Sequence, residues 1–188
     1  MLIVGLGNPG KKYENTYHNM GYKTVSALAD LLGVSIDKKE CSALTASAYV
    51  GGKRVVLALP TTYMNLSGEA VALLMGRYKM EKEEVVIVYD DIDIPSGTVR
   101  ARLSGSAGSH NGMKDIVKRI GTEFKRVRMG VGRPPENIPL IDFVLMNELS
   151  SDKERLAKAR QRAAEAMVSF ISDADFDKLM RELNKETV

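Results

Sequence analysis

The chain has 188 residues, of which 44% are hydrophobic and 27% charged, and its formal net charge is +3 at neutral pH. That length and composition are typical of one globular domain with a hydrophobic core. No apolar run reaches the roughly 18 residues of a membrane-spanning helix. The N-terminal segment MLIVGLGNPG lacks the basic and long apolar regions of a signal peptide. The single cysteine, Cys41, has no internal disulfide partner, which favours a reducing cytosol.

Short apolar runs predict strands, a glycine pair predicts a hairpin, and apolar residues at helical spacing predict helices. In chain order, the predicted elements are a strand at Leu2–Gly5, a loop from Gly7 to His18, a helix from Gly21 to Leu32, hairpin strands at Leu44–Val50 and Arg54–Leu59, a helix at Ser67–Lys79, strands at Val85–Tyr89 and Thr98–Leu103, a helix at Met113–Ile120 and a strand at Arg126–Val131. Ser151 and Glu154 predict a capping box before a long helix, and a last helix follows at about 173–183. We expect residues 1–188 to form a single α/β domain with a twisted, mixed and partly parallel sheet surrounded by helices.

The first predicted strand leads into Gly5-Leu-Gly-Asn-Pro-Gly10, which has the glycine spacing of a dinucleotide-binding loop. In such a loop the last glycine opens a helix, and an acidic residue ends the next strand about 20 residues later. Here polar residues without a helical pattern follow Gly10, and the acid at about that distance, Asp30, lies inside a predicted helix. The context therefore disfavours a nucleotide-dependent oxidoreductase, which stays only as an alternative.

Positive charge is concentrated between Ile94 and Pro134, where nine lysines and arginines accompany two acids. The alternating patterns place Arg100 and Arg102 on one face of a strand and put Arg126 and Arg128 on the polar side of another. A basic window of this kind favours a polyanionic partner, although a solvated surface has the same composition.

Candidate chemistry is restricted by the small number of histidines. Two histidines and one cysteine are too few for the usual catalytic zinc ligands, although Asp90, Asp91 and Asp93 leave magnesium as an alternative. His18 ends the polar loop, and Asp90 follows a buried strand, where open α/β sheets place ligands. If the two meet, the carboxylate fixes the imidazole tautomer and leaves the other nitrogen free to take a proton from water. Each residue alone is also typical of a cap or a turn.

Three asparagines, Asn8, Asn65 and Asn111, stand at the ends of predicted elements. Each is also typical of a helix cap or a turn. Uncharged amides can instead hold an ester carbonyl, a water and a nucleotide sugar, and amide donors suit a developing oxyanion. These residues allow a hydrolase that activates water through a histidine and an aspartate beside a basic face.

Six strings occur in this order along the chain: VGLGNPGKKYENTYHNMG, PTTYMNLSG, IVYDDIDIP, SGSAGSHNGMKDI, RVRMGVGRP and DFVL. Each resembles a signature segment of the peptidyl-tRNA hydrolase family. The resemblance extends from Leu2 to about Leu149, and the final helices match in character only. It implies hydrolysis of the ester between peptide and tRNA by a cytoplasmic monomer that needs no metal or cofactor.

The resemblance also implies roles for individual residues. His18 is then the general base for water, Asp90 its orienting partner, and Asn8 the contact to the scissile carbonyl. The residues implied to bind the acceptor end and the peptide are Tyr13, Met64, Asn65 and Asn111, and those implied to meet tRNA phosphates are Arg100, Arg102, Lys114 and either Arg126 or Arg128. An RNA-binding module without catalysis is the alternative, because it uses the same basic face without the two catalytic residues.

Overall fold

The computed structural model describes residues 1–185, in which one seven-stranded sheet lies between two layers of helices. The strands are β1 (Leu2–Gly5), β2 (Lys38–Glu40), β3 (Ala43–Val50), β4 (Lys53–Pro60), β5 (Val85–Asp91), β6 (Val99–Arg102) and β7 (Lys125–Gly130). The helices are α1 (Met20–Leu31), α2 (Ser67–Tyr78), α3 (Asn111–Ile120), α4 (Leu140–Leu145), α5 (Ser150–Asp173) and α6 (Phe176–Leu183). Across residues 1–185, none of the helices combines the length and apolar character that crossing a membrane requires.

The sheet has the strand order β2-β3-β4-β1-β5-β7-β6. Strands β4, β1, β5 and β7 are parallel to one another, and β2, β3 and β6 pair antiparallel to their neighbours. Strands β1 and β5 are continuous apolar runs because both faces of the sheet are covered. The predicted α/β class with a mixed, partly parallel sheet is confirmed.

Helices α1, α5 and α6 pack on one face of the sheet, around Ile3 and Met167, and α2 and α3 pack on the other, around Val4. Helix α1 approaches the sheet closely at Gly21, where an added Cβ would lie 2.2 Å from the carbonyl oxygen of Val88. That approach fixes the start of α1, and therefore the residues just before it, against the end of β5.

The hairpin predicted around Gly51 and Gly52 is confirmed, and both glycines have the positive φ of a primed turn, 56° and 77°. The predicted capping box is wrong, because α5 begins at Ser150 and no side chain caps it. The last helix begins at Phe176 and not at about residue 173 as predicted, because the Asp175 side chain caps it by accepting the backbone N–H of Lys178. The three-residue β2 and the six-residue α4 were not predicted, since each is too short for a periodic pattern.

Arg126, which the alternating pattern puts on the polar side of its strand, is buried, and this corrects the expectation that it can meet a tRNA phosphate. Its side chain is only 1% exposed. The guanidinium donates hydrogen bonds to the carbonyl oxygens of Gly105 and Ser106, at 2.6 Å for Ser106, and to that of Thr122 at 3.3 Å. It also lies 4.4 Å from the centroid of the Phe124 ring. The loop before α3 covers this face of β7, so alternation along the strand does not bring exposure.

Candidate active site

A cleft of about 580 Å³ opens at the carboxyl ends of the parallel strands β1, β4 and β5. Open α/β sheets bind ligands at this edge, because the loops that follow neighbouring parallel strands meet there. The loops after these three strands and the start of α3 form the floor of the cleft, and α4 contributes an apolar wall. The lining residues that carry polar or aromatic groups are Asn8, Tyr13, His18, Tyr63, Asn65, Tyr89, Asp90, Asp91, Asp93, Ser109, His110 and Asn111.

His18 and Asp90 meet inside this cleft although 72 positions separate them in the chain. The Nδ1 atom of His18 lies 3.0 Å from each carboxylate oxygen of Asp90. The two residues are 7% and 2% exposed. Burial lowers the pKa of His18, but the charge and hydrogen bond of Asp90 outweigh it, so the pKa stays above its usual value. Burial alone raises the pKa of Asp90, but the two neighbouring imidazoles hold it well below its usual value, so the carboxylate is ionised.

His18 belongs to a single turn of 3-10 helix, Tyr17–Asn19, that runs directly into α1. The Tyr17 hydroxyl anchors this turn to α5 by donating to the Asp152 carboxylate at 2.5 Å and accepting the backbone N–H of Leu149 at 3.2 Å. The Tyr17 ring stacks on Phe143 of α4 with 4.7 Å between centroids. The position of the imidazole is therefore set by the packing of the C-terminal helices.

His110 is a third member of this group, and no role was predicted for it from the sequence. Its Nε2 atom lies 3.1 Å from Oδ1 of Asp90, and its ring centroid lies 4.7 Å from that of His18. Its other nitrogen, Nδ1, accepts the backbone N–H of Met113 at 3.2 Å and so caps α3. The only signal in the sequence was a histidine at a helix start, which does not reveal what the ring faces.

Among residues 1–185, one group of side chains has donor atoms close enough together to hold a metal ion. It consists of His18, Asp90 and His110, whose donor atoms lie within 4.8 Å of one another. A histidine that ligates a metal donates its second N–H to an acceptor. The second nitrogen of His110 instead accepts an N–H from Met113, so the nitrogen that faces Asp90 carries the proton. We therefore assign the group as a hydrogen-bond network around an ionised carboxylate. Asp91 and Asp93, the other carboxylates of the magnesium alternative, are paired with arginines.

Asn8 is held in one orientation by its neighbours. Its side-chain oxygen accepts the backbone N–H of Met64 at 2.7 Å. Asn19 fixes the backbone, accepting the Asn8 N–H at 2.9 Å and donating its own amide to the Asn8 carbonyl at 3.0 Å. Because the side-chain oxygen of Asn8 is engaged, its NH₂ group is left to donate into the cleft that the residue lines. Asn19 is a second residue whose place in the site was not predicted.

The other predicted substrate residues lie around the rim of the cleft. Asn65 and Asn111 are exposed, and Met64 is buried between the loops. Tyr13 packs edge-on against Tyr63, with 6.4 Å between ring centroids. The structure thus brings the residues of three separate loops to one opening.

The predicted phosphate-binding residues differ in accessibility. Arg102 is exposed, and no carboxylate of residues 1–185 lies within ion-pair distance of it. Lys114 is exposed in the first turn of α3, 3.4 Å from the side-chain oxygen of Asn111. Arg100 is half-buried on β6, and Arg128 donates to Asp91 at 2.7 Å. Arg126 is buried and lies away from any surface that a phosphate can reach.

The fold and this site define an α/β protein with a buried histidine–aspartate pair at the carboxyl edge of its sheet. The family model described as peptidyl-tRNA hydrolase matches residues 2–188. The chain is 44% identical to a peptidyl-tRNA hydrolase of Exiguobacterium sp. (strain ATCC BAA-1283 / AT1b), covering 97% of this chain and 98% of the relative. It is 44% identical to that of Geobacillus kaustophilus, over 98% and 99%. The crystal structure of peptidyl-tRNA hydrolase from Acinetobacter baumannii matches with a TM-score of 0.94 and 33% identity, over 99% and 95%. The chain belongs to the peptidyl-tRNA hydrolase family.

Proposed function

We propose that this protein hydrolyses the ester bond between the peptide and the 3′ end of tRNA in peptidyl-tRNA, with water activated by His18. The observation that carries the proposal is the buried contact between His18 and Asp90 in a cleft lined by amide groups. The family to which the chain belongs supports the same reaction. Free tRNA and a free peptide are the products.

The mechanism follows from the tautomer that Asp90 imposes. Since the ionised carboxylate accepts the Nδ1–H of His18, the lone pair lies on Nε2. Nε2 takes a proton from water as the water oxygen attacks the ester carbonyl. The tetrahedral intermediate then expels the ribose 3′ oxygen, which takes the proton back from His18. Asp90 stays ionised throughout and stabilises the imidazolium that forms between the two steps.

The amide groups supply the neutral donors that this reaction needs. The NH₂ group of Asn8 donates to the carbonyl oxygen as negative charge develops on it, which stabilises the transition state more than the ester. Asn65 and Asn111, which both line the cleft, hold the water and the terminal adenosine or the first peptide unit. Tyr13 and Met64 line the same opening and contact the substrate through apolar surface.

The tRNA body binds beside the cleft through its phosphates. Arg102 and Lys114 are exposed cations on β6 and at the start of α3, and a helix start itself favours a phosphate. Arg100 and Arg128 lie opposite each other on adjacent strands beside Arg102, but Arg100 is half-buried and Arg128 is paired with Asp91, so we expect them to contribute less to phosphate binding than Arg102 and Lys114. We propose that the protein acts as a monomer, as the resemblance to its family implies, and in the cytoplasm, which the single cysteine favours.

A non-catalytic RNA-binding module is the rival function, and one assay separates the two. Purified protein is incubated with N-acetyl-aminoacyl-tRNA carrying a labelled acyl group, and the release of labelled N-acetyl amino acid is followed. We expect release at a rate proportional to protein concentration, with intact tRNA as the second product. Binding of the tRNA without release of the label contradicts the proposal. Gel filtration at several protein concentrations tests the monomer.

A further inference from the structure

Two imidazoles share one carboxylate in this site, and the mechanism above uses only one of them. Asp90 is buried, and its Oδ1 lies 3.0 Å from His18 Nδ1 and 3.1 Å from His110 Nε2. Each nitrogen that faces the ionised carboxylate donates a hydrogen bond to it. The negative charge of Asp90 is therefore divided between two donors.

The protonation of His110 is fixed by the backbone of α3. Its Nδ1 accepts the N–H of Met113, so this nitrogen carries no proton and the single ring proton lies on Nε2, toward Asp90. The His110 and Tyr89 rings pack in an edge-to-face arrangement with 5.1 Å between centroids, which holds the imidazole in this orientation. His110 thus acts as a neutral donor and adds no charge to the site.

Resting on the proposed role of His18, we propose that His110 is a positioning residue that withdraws part of the Asp90 charge from His18 and keeps the His18 imidazole in its basic, unprotonated form. A carboxylate with a single donor holds an imidazolium more tightly than one whose charge a second N–H already stabilises. Without His110, Asp90 would retain the proton on His18 at pH values where the base must be free.

Among residues 1–185, no other titratable group is placed to exert this control on His18. Asp90 faces the ring from β5 and His110 faces it from the start of α3. The 3-10 turn also packs against α1 and α4. The other charged groups near the turn are engaged elsewhere or exposed: Lys23 pairs with Glu148, Asp91 with Arg128, and Asp152 of α5 with Arg155 and the Tyr17 hydroxyl, while Asp93 and Asp142 are exposed.

Two substitutions separate the two functions of the His110 ring. His110→Asn keeps a side-chain acceptor at the position of Nδ1, and asparagine is a good helix cap, but its shorter amide cannot replace the donor at Nε2. His110→Gln places an amide nitrogen near the position of Nε2 and keeps the donor to Asp90, while the cap on Met113 is lost. If His110 only caps α3, asparagine should substitute for it better than glutamine. If His110 donates to Asp90 as proposed, glutamine should substitute for it better.

The test is the titration of the His18 ring, followed by NMR of ¹⁵N-histidine-labelled protein in the wild type and both variants. We expect the pKa of His18 to rise by about one unit in His110→Asn, the order expected when a hydrogen bond to a charged group is lost, and to stay near the wild-type value in His110→Gln. Thermal unfolding should show the opposite order, with His110→Gln the less stable. An unchanged His18 titration in His110→Asn, or equal shifts in both variants, overturns the inference.

This titration needs no turnover, so it is independent of the proposed reaction. The acidic limb of the kcat/KM profile on N-acetyl-aminoacyl-tRNA should move with the titration in His110→Asn. If the pKa of His18 shifts while the acidic limb of the kcat/KM profile stays in place, the sharing of Asp90 is supported and the role of His18 as the base is contradicted. If the acidic limb of the kcat/KM profile shifts while the pKa of His18 does not, the inference about His110 is overturned and the proposed hydrolysis is unaffected.

Discussion

Replacing Asp90 by asparagine changes the charge and hydrogen bonding of the site with almost no change of shape. In the structure, Oδ1 accepts from His18 and His110, and Oδ2 accepts from His18. If the asparagine oxygen takes the place of Oδ1, its NH₂ group takes the place of Oδ2 and points a donor at His18 Nδ1, 3.0 Å away. His18 can accept that donor only by moving its proton to Nε2, the nitrogen that must be free to take a proton from water.

We therefore expect Asp90→Asn to lower kcat/KM by about 10²–10⁴-fold, because a correctly placed imidazole in the wrong tautomer is not a base. The assay is hydrolysis of N-acetyl-aminoacyl-tRNA, together with tRNA affinity and far-ultraviolet circular dichroism. Asp93→Asn is the matched control, since Asp93 follows the same strand, lines the cleft and is exposed. Hydrolysis by Asp90→Asn within about tenfold of wild type would refute the reasoning on the tautomer. An equal loss in Asp93→Asn would point to the acidic cluster as a whole.

Other perturbations test the interface, the assignment of the histidines and the packing. Arg102→Ala should weaken the binding of all tRNA sequences and lower the slope of log affinity against log salt concentration by roughly one unit. Lys39→Ala, on the edge strand at the opposite side of the sheet, should change neither quantity. Equal affinities and parallel salt plots for Arg102→Ala and wild type would remove Arg102 from the interface. The zinc chelator 1,10-phenanthroline should leave kcat/KM unchanged, because His110 presents a protonated nitrogen to Asp90, and a loss that added zinc restores would contradict this assignment. Gly21→Ala should lower the free energy of unfolding by about 1–3 kcal/mol or more, since its Cβ meets backbone atoms of Val88, and an unchanged denaturation midpoint would show that α1 can move away from the sheet.

The meeting of His18 and Asp90 was predictable because it depends on strand order and not on side-chain detail. Buried apolar runs identify β1 and β5, and parallel neighbours in an α/β sheet bring the segments after them to one edge. The prediction that no helix opens at the last glycine of the string after β1 is confirmed. Gly10 precedes a short 3-10 turn, Lys11–Tyr13, and the first α-helix begins only at Met20.

The roles of Arg126 and His110 were not predictable from periodicity. Alternation along β7 assigns Arg126 to a face, but the loop at 104–109 covers that face, and its carbonyl oxygens take up the guanidinium. His110 begins a helix, and the sequence does not show that its ring turns inward to a carboxylate 20 positions earlier. Both contacts depend on the path of one irregular loop, for which neither helical nor strand spacing applies.

Single-turnover hydrolysis by His18→Ala, with enzyme in excess over N-acetyl-aminoacyl-tRNA, separates the chemical step from binding. His18 contributes the proton acceptor, so the rate constant should fall by about 10²–10⁴-fold while the affinity for tRNA stays unchanged. The wild-type rate should rise with pH through the pKa of His18, which Asp90 holds above its usual value, because the base acts only when unprotonated. His18→Ala should lose that dependence. A rate constant within about tenfold of wild type, with the pH dependence intact, would contradict the assignment of His18 as the base.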